Sequence, residues 1–196
     1  MPIELTMSSL PEDTAQLKAV RTLYNRSFPD DERIPWKMLL KLQNENRLLH
    51  VFYMEHTLAA FTCLFLYRDI AYLSYLTVSE DMRNHGIGSA VLEHIKAALP
   101  QHRIVIDIEE LRKDADNYKE RLRRRNFYLR CGFEPSGIGY YYYHVRYELL
   151  CTNGPISADD FRNLLLYHWG PRSKSALFYP LHGEDPILNR AGMNPL

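Results

Sequence analysis

Two stretches of this chain carry residues able to do chemistry. The first is Arg83-Asn84-His85-Gly86-Ile87-Gly88-Ser89, which lies between an apolar run ending Leu76-Thr77-Val78 and a stripe of apolar residues at helical spacing. Such a loop opening a helix offers unpaired backbone N–H groups and a partial positive charge, and glycines keep side chains out of the way of an approaching anion. Arg83 adds a formal charge, so a phosphate or pyrophosphate is the ligand this chemistry fits. It is not a P-loop, because no Gly-Lys-Ser/Thr follows, and not a dinucleotide fingerprint, because Val91 stands where a third glycine would. The second stretch is Arg103 to Glu110. Alternation sends Ile104, Ile106 and Ile108 to one face, and Val105, Asp107 and Glu109 to the other, with Glu110 at the end. Two carboxylates on one face of a central strand need partners. Either arginines from the basic segment 121–130 pair with them, or they face a polar cleft.

Periodicity predicts the elements that hold these residues. Ile87, Ala90, Val91, His94, Ile95, Ala98 and Leu99 fall on one helical face, so strand, glycine loop and helix succeed one another from Tyr72 to Leu99. Upstream, Ile3–Met7 reads as a short strand and Pro11–Phe28 as a helix with Leu17, Val20, Leu23 and Tyr24 inward. A polar break follows at Pro29–Arg33, containing Asp30, Asp31 and Glu32, and Pro35 opens a helix over Trp36–Gln43. Leu48–Met54 and Leu58–Tyr67 read as strands joined at Glu55-His56-Thr57, with Ile70–Val78 as a third antiparallel neighbour. Arg103–Glu109 is then reached by a strand–helix–strand crossover, expected to be parallel and right-handed.

Downstream, Tyr118–Arg130 reads as a helix with Tyr118, Leu122 and Leu129 inward and a basic outer face. A strand begins at Gly132–Pro135, and Tyr140–Cys151 gives a last pair of strands in which Tyr140 to Tyr143 send two rings to each face. Ser157 and Asp160 form a capping box that opens a helix over Asp159–Trp169, stopped at Gly170-Pro171. Residues 171–196 show little periodicity, which leaves a docked tail, a dimer arm and disorder all open. The organisation read from this is a domain over residues 1–152 with a C-terminal helix and tail over 153–196.

At 196 residues and 46% hydrophobic, the chain has material for one sizeable core. Its 24 basic and 24 acidic residues balance, which argues against nucleic-acid binding or a membrane-surface role. Cys63, Cys131 and Cys151 are odd in number and scattered, so neither a disulfide framework nor a metal site is expected, and the compartment read from them is a reducing, cytoplasmic one. No leader or membrane-spanning run is seen in the sequence.

Arg83-x-x-Gly86-x-Gly88, after a strand ending Leu76-Thr77-Val78, resembles the acetyl-CoA loop of the GNAT acetyltransferase superfamily. About forty residues downstream, Phe127-Tyr128-Leu129-Arg130-Cys131-Gly132-Phe133 resembles the F-Y-x-x-x-G-F segment that closes those domains. The resemblance implies an α/β (α+β) fold: a mixed, mostly antiparallel sheet with a parallel, splayed strand pair, flanked by helices. It implies transfer of an acetyl group from acetyl-CoA, leaving CoA, to a primary amine of a small molecule or peptide. On it, Leu76, Thr77 and Val78 pair with the pantetheine amides, while Arg83, Asn84, His85, Gly86, Ile87, Gly88 and Ser89 hold the pyrophosphate. Tyr128 matches the tyrosine placed near the sulfur as a general acid. The first two helices would line the acceptor site, where Asp30, Asp31 and Glu32 could meet a cation.

For a base, Glu109 comes first, with Glu110 and Asp107 behind it. One departure stands out: Arg121, Arg124 and Arg125 occupy the region where many members carry an asparagine and a small residue, and Asn126 is out of phase. Two other classes remain open. One is a non-catalytic acyl-CoA-binding regulatory domain, and the other an interaction protein that uses its C-terminal helix and tail as a dimer surface.

Overall fold

The apolar runs pair as strands, in two units that comprise Met1–Ile104 and Val105–Leu196. The computed structural model describes residues 3–30 and 33–181, so Asp31, Glu32 and the tail beyond Leu181 lie outside the described residues.

In the first unit, β1 (Thr6–Ser9), β2 (Arg47–Met54), β3 (Thr57–Tyr67) and β4 (Ile70–Val78) lie in chain order, each antiparallel to the next. The expected hairpins are present. The first strand is displaced from Ile3–Met7 to Thr6–Ser9, because Thr6 already pairs with Tyr53 and the partner strand ends one residue later. The first helix, α1 (Thr14–Ser27), starts at Thr14 and not Pro11, because Asp13 is its N-cap and accepts the Gln16 N–H at 2.8 Å. After α2 (Trp36–Leu42), the chain enters the β2–β3–β4 meander, and α3 (Ile87–Ala98) follows the glycine loop.

Both sheet faces of this unit are covered. Tyr24 of α1 meets Phe61 of β3 at 5.7 Å and Tyr75 of β4 at 5.1 Å, ring centre to ring centre. On the other face Phe52 of β2 meets His94 of α3 at 6.1 Å. A strand covered on both sides has no polar face to keep, so β3 is apolar apart from Thr62 over its centre, with Ala59 to Phe65 all buried. Arg103 clamps the Asp69 turn between β3 and β4 through two bonds of 2.8 and 3.0 Å. That pairing holds the Asp69 carboxyl below its ordinary range.

The second unit carries β5 (Arg103–Glu109), which starts at the boundary, then α4 (Tyr118–Arg130), β6 (Glu134–Tyr142), β7 (Val145–Thr152), α5 (Ala158–Trp169) and β8 (Leu177–Pro180). Its strands lie in the order β5-β7-β6-β8. The strand read as beginning at Gly132–Pro135 and the one read from Tyr140 are a single strand, β6, interrupted by a bulge. Register jumps from Pro135↔Leu150 to Gly139↔Glu148, and the Ser136 hydroxyl bridges the gap by donating to Leu149 O at 2.8 Å. The capping box at Ser157 and Asp160 is formed as read. Part of the segment read as a tail is structured: β8 pairs with β6, setting Tyr179 opposite Gly139 and Phe178 opposite Tyr140. Cys63, Cys131 and Cys151 are free thiols, all buried. No described helix is long and apolar enough to cross a membrane.

Candidate active site

In the first unit, the end of β4 leads through a short 3₁₀ turn over Glu80–Met82 into the glycine loop. Gly86 caps α3 with φ +79°, a left-handed conformation that disfavours a side chain. A Cβ there would also sit 3.0 Å from Ile3 Cδ1. The first helical bond runs from Ala90 N–H to Gly86 O at 3.1 Å, so the Ile87 and Gly88 amides precede it. Helices α1 and α5 have their starts capped by Asp13 and Ser157, whereas α3 has no side-chain cap and no acidic residue in its first turn. Arg83, Asn84, His85 and Gly86 are exposed, and Arg83 Nε donates to Val78 O at 3.3 Å, which lays its guanidinium across the end of β4. These groups fit an anion.

Thr77, one of the three residues expected to contact pantetheine, is 5% exposed, and its hydroxyl lies 2.5 Å from Ser27 Oγ at the end of α1. Its side chain therefore locks helix to strand, which leaves only its backbone for a ligand. Leu76 and Val78 flank it with half-buried side chains. The chain between α1 and α2 is held by two phenols: Tyr24 donates to Ile34 O and the Ile34 N–H donates to Tyr75 Oη, each at 3.0 Å. Of the three acidic residues expected to meet a cation, Asp30 is paired with Arg33. Among the residues lining a groove of about 950 Å³, which include Ile3, Gln16, Tyr53 and His56, Ile3 approaches Gly86 of the loop.

In the second unit, the three carboxylates at the end of β5 have distinct partners. Glu109 is clamped by α4: Arg121 lies 2.7 Å away, Arg124 3.1 Å, and Asn117 Nδ2 donates at 3.4 Å. Glu110 accepts from the Tyr179 hydroxyl of β8 at 2.5 Å. Asp107 accepts from the Tyr140 hydroxyl of β6. Helix α4 runs back along β5, so Arg121 and Arg124 meet Glu109 while Tyr128, one to two turns on, meets the field of Asp107. Desolvation pushes the Tyr128 phenol up to about 12; Arg124 pulls it down, and Asp107 adds to the rise. Tyr128 is packed by Phe127 at 5.0 Å and Phe133 at 5.6 Å, both from the F-Y-x-x-x-G-F segment.

The arginines that break the family pattern are thereby explained. Arg121 and Arg124 hold Glu109. Arg125 makes a bidentate pair with Glu148 at 2.8 and 3.1 Å, and that carboxylate is 5% exposed. Three features escaped the sequence reading: Ser27 on Thr77, Tyr140 on Asp107, and Tyr179 on Glu110. Only the second had a signal, the run of four tyrosines.

The acetyltransferase (GNAT) family model matches residues 17–133, more than half of the chain. The chain belongs to the GNAT acetyltransferase family, and is an acyltransferase of that class. Solved structures share the fold. A putative GNAT acetyltransferase from Bacteroides thetaiotaomicron is 20% identical with a TM-score of 0.66, over 86% of this chain and 99% of that one. The ribosomal-protein-S18-alanine N-acetyltransferase of Escherichia coli is 22% identical, with a TM-score of 0.59, over 80% and 98%. The aminoglycoside 6′-N-acetyltransferase of Enterococcus faecium is 14% identical, with a TM-score of 0.57, over 75% and 96%. The shared fold is the expected mixed α/β one, with a mostly antiparallel sheet and flanking helices. No curated protein matches the chain in sequence.

Proposed function

We propose that this protein transfers an acetyl group from acetyl-CoA to a primary amine, with the pyrophosphate held by Arg83 to Ser89. The observation that carries the reading is the start of α3, where the Ile87 and Gly88 amides stand behind a left-handed Gly86 with no side-chain cap. The donor supplies a thioester, whose acyl carbon is open to attack by an amine. Two relatives of the same fold are N-acetyltransferases whose names give an alanine of a ribosomal protein and an aminoglycoside as acceptors. Both acceptors present an amine, which supports that substrate class here.

An ammonium near pKa ~10 must lose its proton before it attacks. Glu109 has its oxygens engaged by two arginines and Asn117, and Glu110 accepts from Tyr179. Asp107 is the β5 carboxylate whose charge acts on Tyr128, so we assign the proton acceptor to Asp107 ahead of Glu109 and Glu110. Tyr128, with its phenol at about 12, keeps its proton through neutral pH and is assigned as donor to the departing thiolate. The backbone of Leu76 to Val78 is assigned to the pantetheine arm.

The test is a thermal-shift titration with acetyl-CoA and CoA on wild type and Gly86→Glu, followed by thiol release with a panel of amines. A hundredfold excess over Kd should stabilise the wild type by about 2.7 kcal/mol. The variant, still folded, should show no shift. No shift in the wild type would sink the reading. Binding without thiol release from any amine would favour an acyl-CoA-binding regulatory domain.

A further inference from the structure

The residues matched by the family model end at Phe133, yet the side chain that holds Asp107 comes from beyond them. Tyr140 lies on β6, two strands from β5 in the order β5-β7-β6-β8, and its hydroxyl reaches past β7 to donate to Asp107 Oδ2. Its ring is 3% exposed. On one side it stacks on Tyr147 of β7 at 5.0 Å and 21°, on the other on Phe178 of β8 at 5.5 Å and 24°. These are its register partners on the two flanking strands, so the three rings form one row across the sheet. Helix α5 closes the row. Phe161, fully buried, sits 5.6 Å from Tyr140, and Arg162 lies over the Phe178 ring at 4.8 Å. A ring confined in this way has one place to put its hydroxyl.

We infer that Tyr140 is a positioning residue for Asp107, and that the C-terminal segment α5–β8 serves the site by seating it through Phe161 and Phe178. A phenylalanine would satisfy every packing contact of the row; only the hydroxyl distinguishes tyrosine, and that hydroxyl donates to the Asp107 carboxylate. The opposite face of the same strands repeats the arrangement. Tyr179, next to Phe178, passes over Gly139 and donates to Glu110. Adjacent residues of β8 thus serve two carboxylates at the end of β5, Tyr179 by bonding Glu110 and Phe178 by seating the Tyr140 ring that bonds Asp107. The inference rests on the reading above, in which Asp107 takes the proton of the acceptor ammonium.

The test compares Tyr140→Phe and Phe178→Leu with wild type, using two readouts. One is the carboxyl-carbon NMR titration of Asp107, assigned by its loss in Asp107→Asn, which needs no activity. The other is the acid limb of kcat/KM for acetyl transfer. Within the unit, Tyr140 donates to Asp107, whose charge acts on Tyr128; Tyr128 in turn feels Arg124 and Cys131, and the Arg125–Glu148 pair lies on the same helix and on β7. All but Tyr140 are retained in both variants. Losing a donor to an ionised carboxylate raises its titration point, here by about one to two pH units in Tyr140→Phe. The acid limb should move up with it. Phe178→Leu, which loosens the seat and keeps the hydroxyl, should give a smaller shift in the same direction and remains informative if Tyr140→Phe does not fold. An unmoved Asp107 titration in a folded Tyr140→Phe overturns the inference. A titration that moves while the acid limb stays overturns Asp107 as proton acceptor and leaves the hydrogen bond standing, so the two failures are distinct.

Discussion

Gly139→Ala is expected to destabilise the protein although the backbone would welcome an alanine. Gly139 lies in β6, outside the left-handed region, and there replacing glycine should gain about 0.5–1 kcal/mol from the lost freedom of the unfolded chain. The space is what opposes it. A Cβ would sit 2.5 Å from Tyr179 Cε2, 2.8 Å from Tyr179 Cζ and 3.0 Å from Leu181 Cδ2. The ring cannot swing aside cheaply. Tyr179 is 7% exposed, its hydroxyl is tied to Glu110, and Arg146 lies over its face at 5.7 Å. Overpacking costs about 1–3 kcal/mol, and giving up a hydrogen bond to a carboxylate adds about 1.5–3 kcal/mol. The net is a loss of about 2–5 kcal/mol, read by urea unfolding. On a Tyr179→Ala background the ring clash and the bond are both gone, the 3.0 Å Leu181 contact is left to offset the backbone gain, and the same substitution should be close to neutral. Equal costs on the two backgrounds, or a gain in the wild type, would refute the steric argument.

Arg125→Met leaves Glu148, 5% exposed, as an unpaired buried carboxylate and should cost about 3–5 kcal/mol in denaturant melts. Adding Glu148→Gln should recover part of that. His50 is held below its ordinary value of 6.5 by burial, so the folded state resists a proton that the unfolded chain accepts. Stability should therefore fall as pH drops through 6.5, and a comparison of melts at pH 7 and 5 should show a flatter dependence in His50→Gln. Ser157→Ala removes one half of the α5 capping box and should cost about 0.5–2 kcal/mol, with hydrogen exchange speeding up first in the opening turn of that helix.

The parts that could be read in the sequence are those governed by local rules. Helix α3 announces itself through a sustained apolar period, the glycine loop through residue type, and the α5 cap through Ser157 and Asp160. Asp13 could also have been read as a cap, which would have moved the start of α1 to Thr14. Strand β8 escaped because four residues are too few for a period, and its reason for pairing lies forty residues upstream in β6. The arginines of α4 were correctly seen as able to pair with Glu109, because strand alternation and helix spacing are both local. The contacts Tyr140 to Asp107 and Ser27 to Thr77 span 33 and 50 residues, and no spacing rule connects such positions. They are products of sheet order and helix docking.

The three buried thiols make the molecule its own reporter of breathing. Cys63 sits in the first unit, fully buried, with burial also pushing its thiol up, while Cys131 and Cys151 sit in the second at 8% and 4% exposure. A thiol-reactive reagent needs both access and a thiolate, so in the native state all three should label slowly. Intact mass then counts events: one adduct marks an opening around Cys63, and two mark the second unit. The order in which those masses appear under mild denaturant would tell which half of the protein lets go first, with no residue changed in the chain.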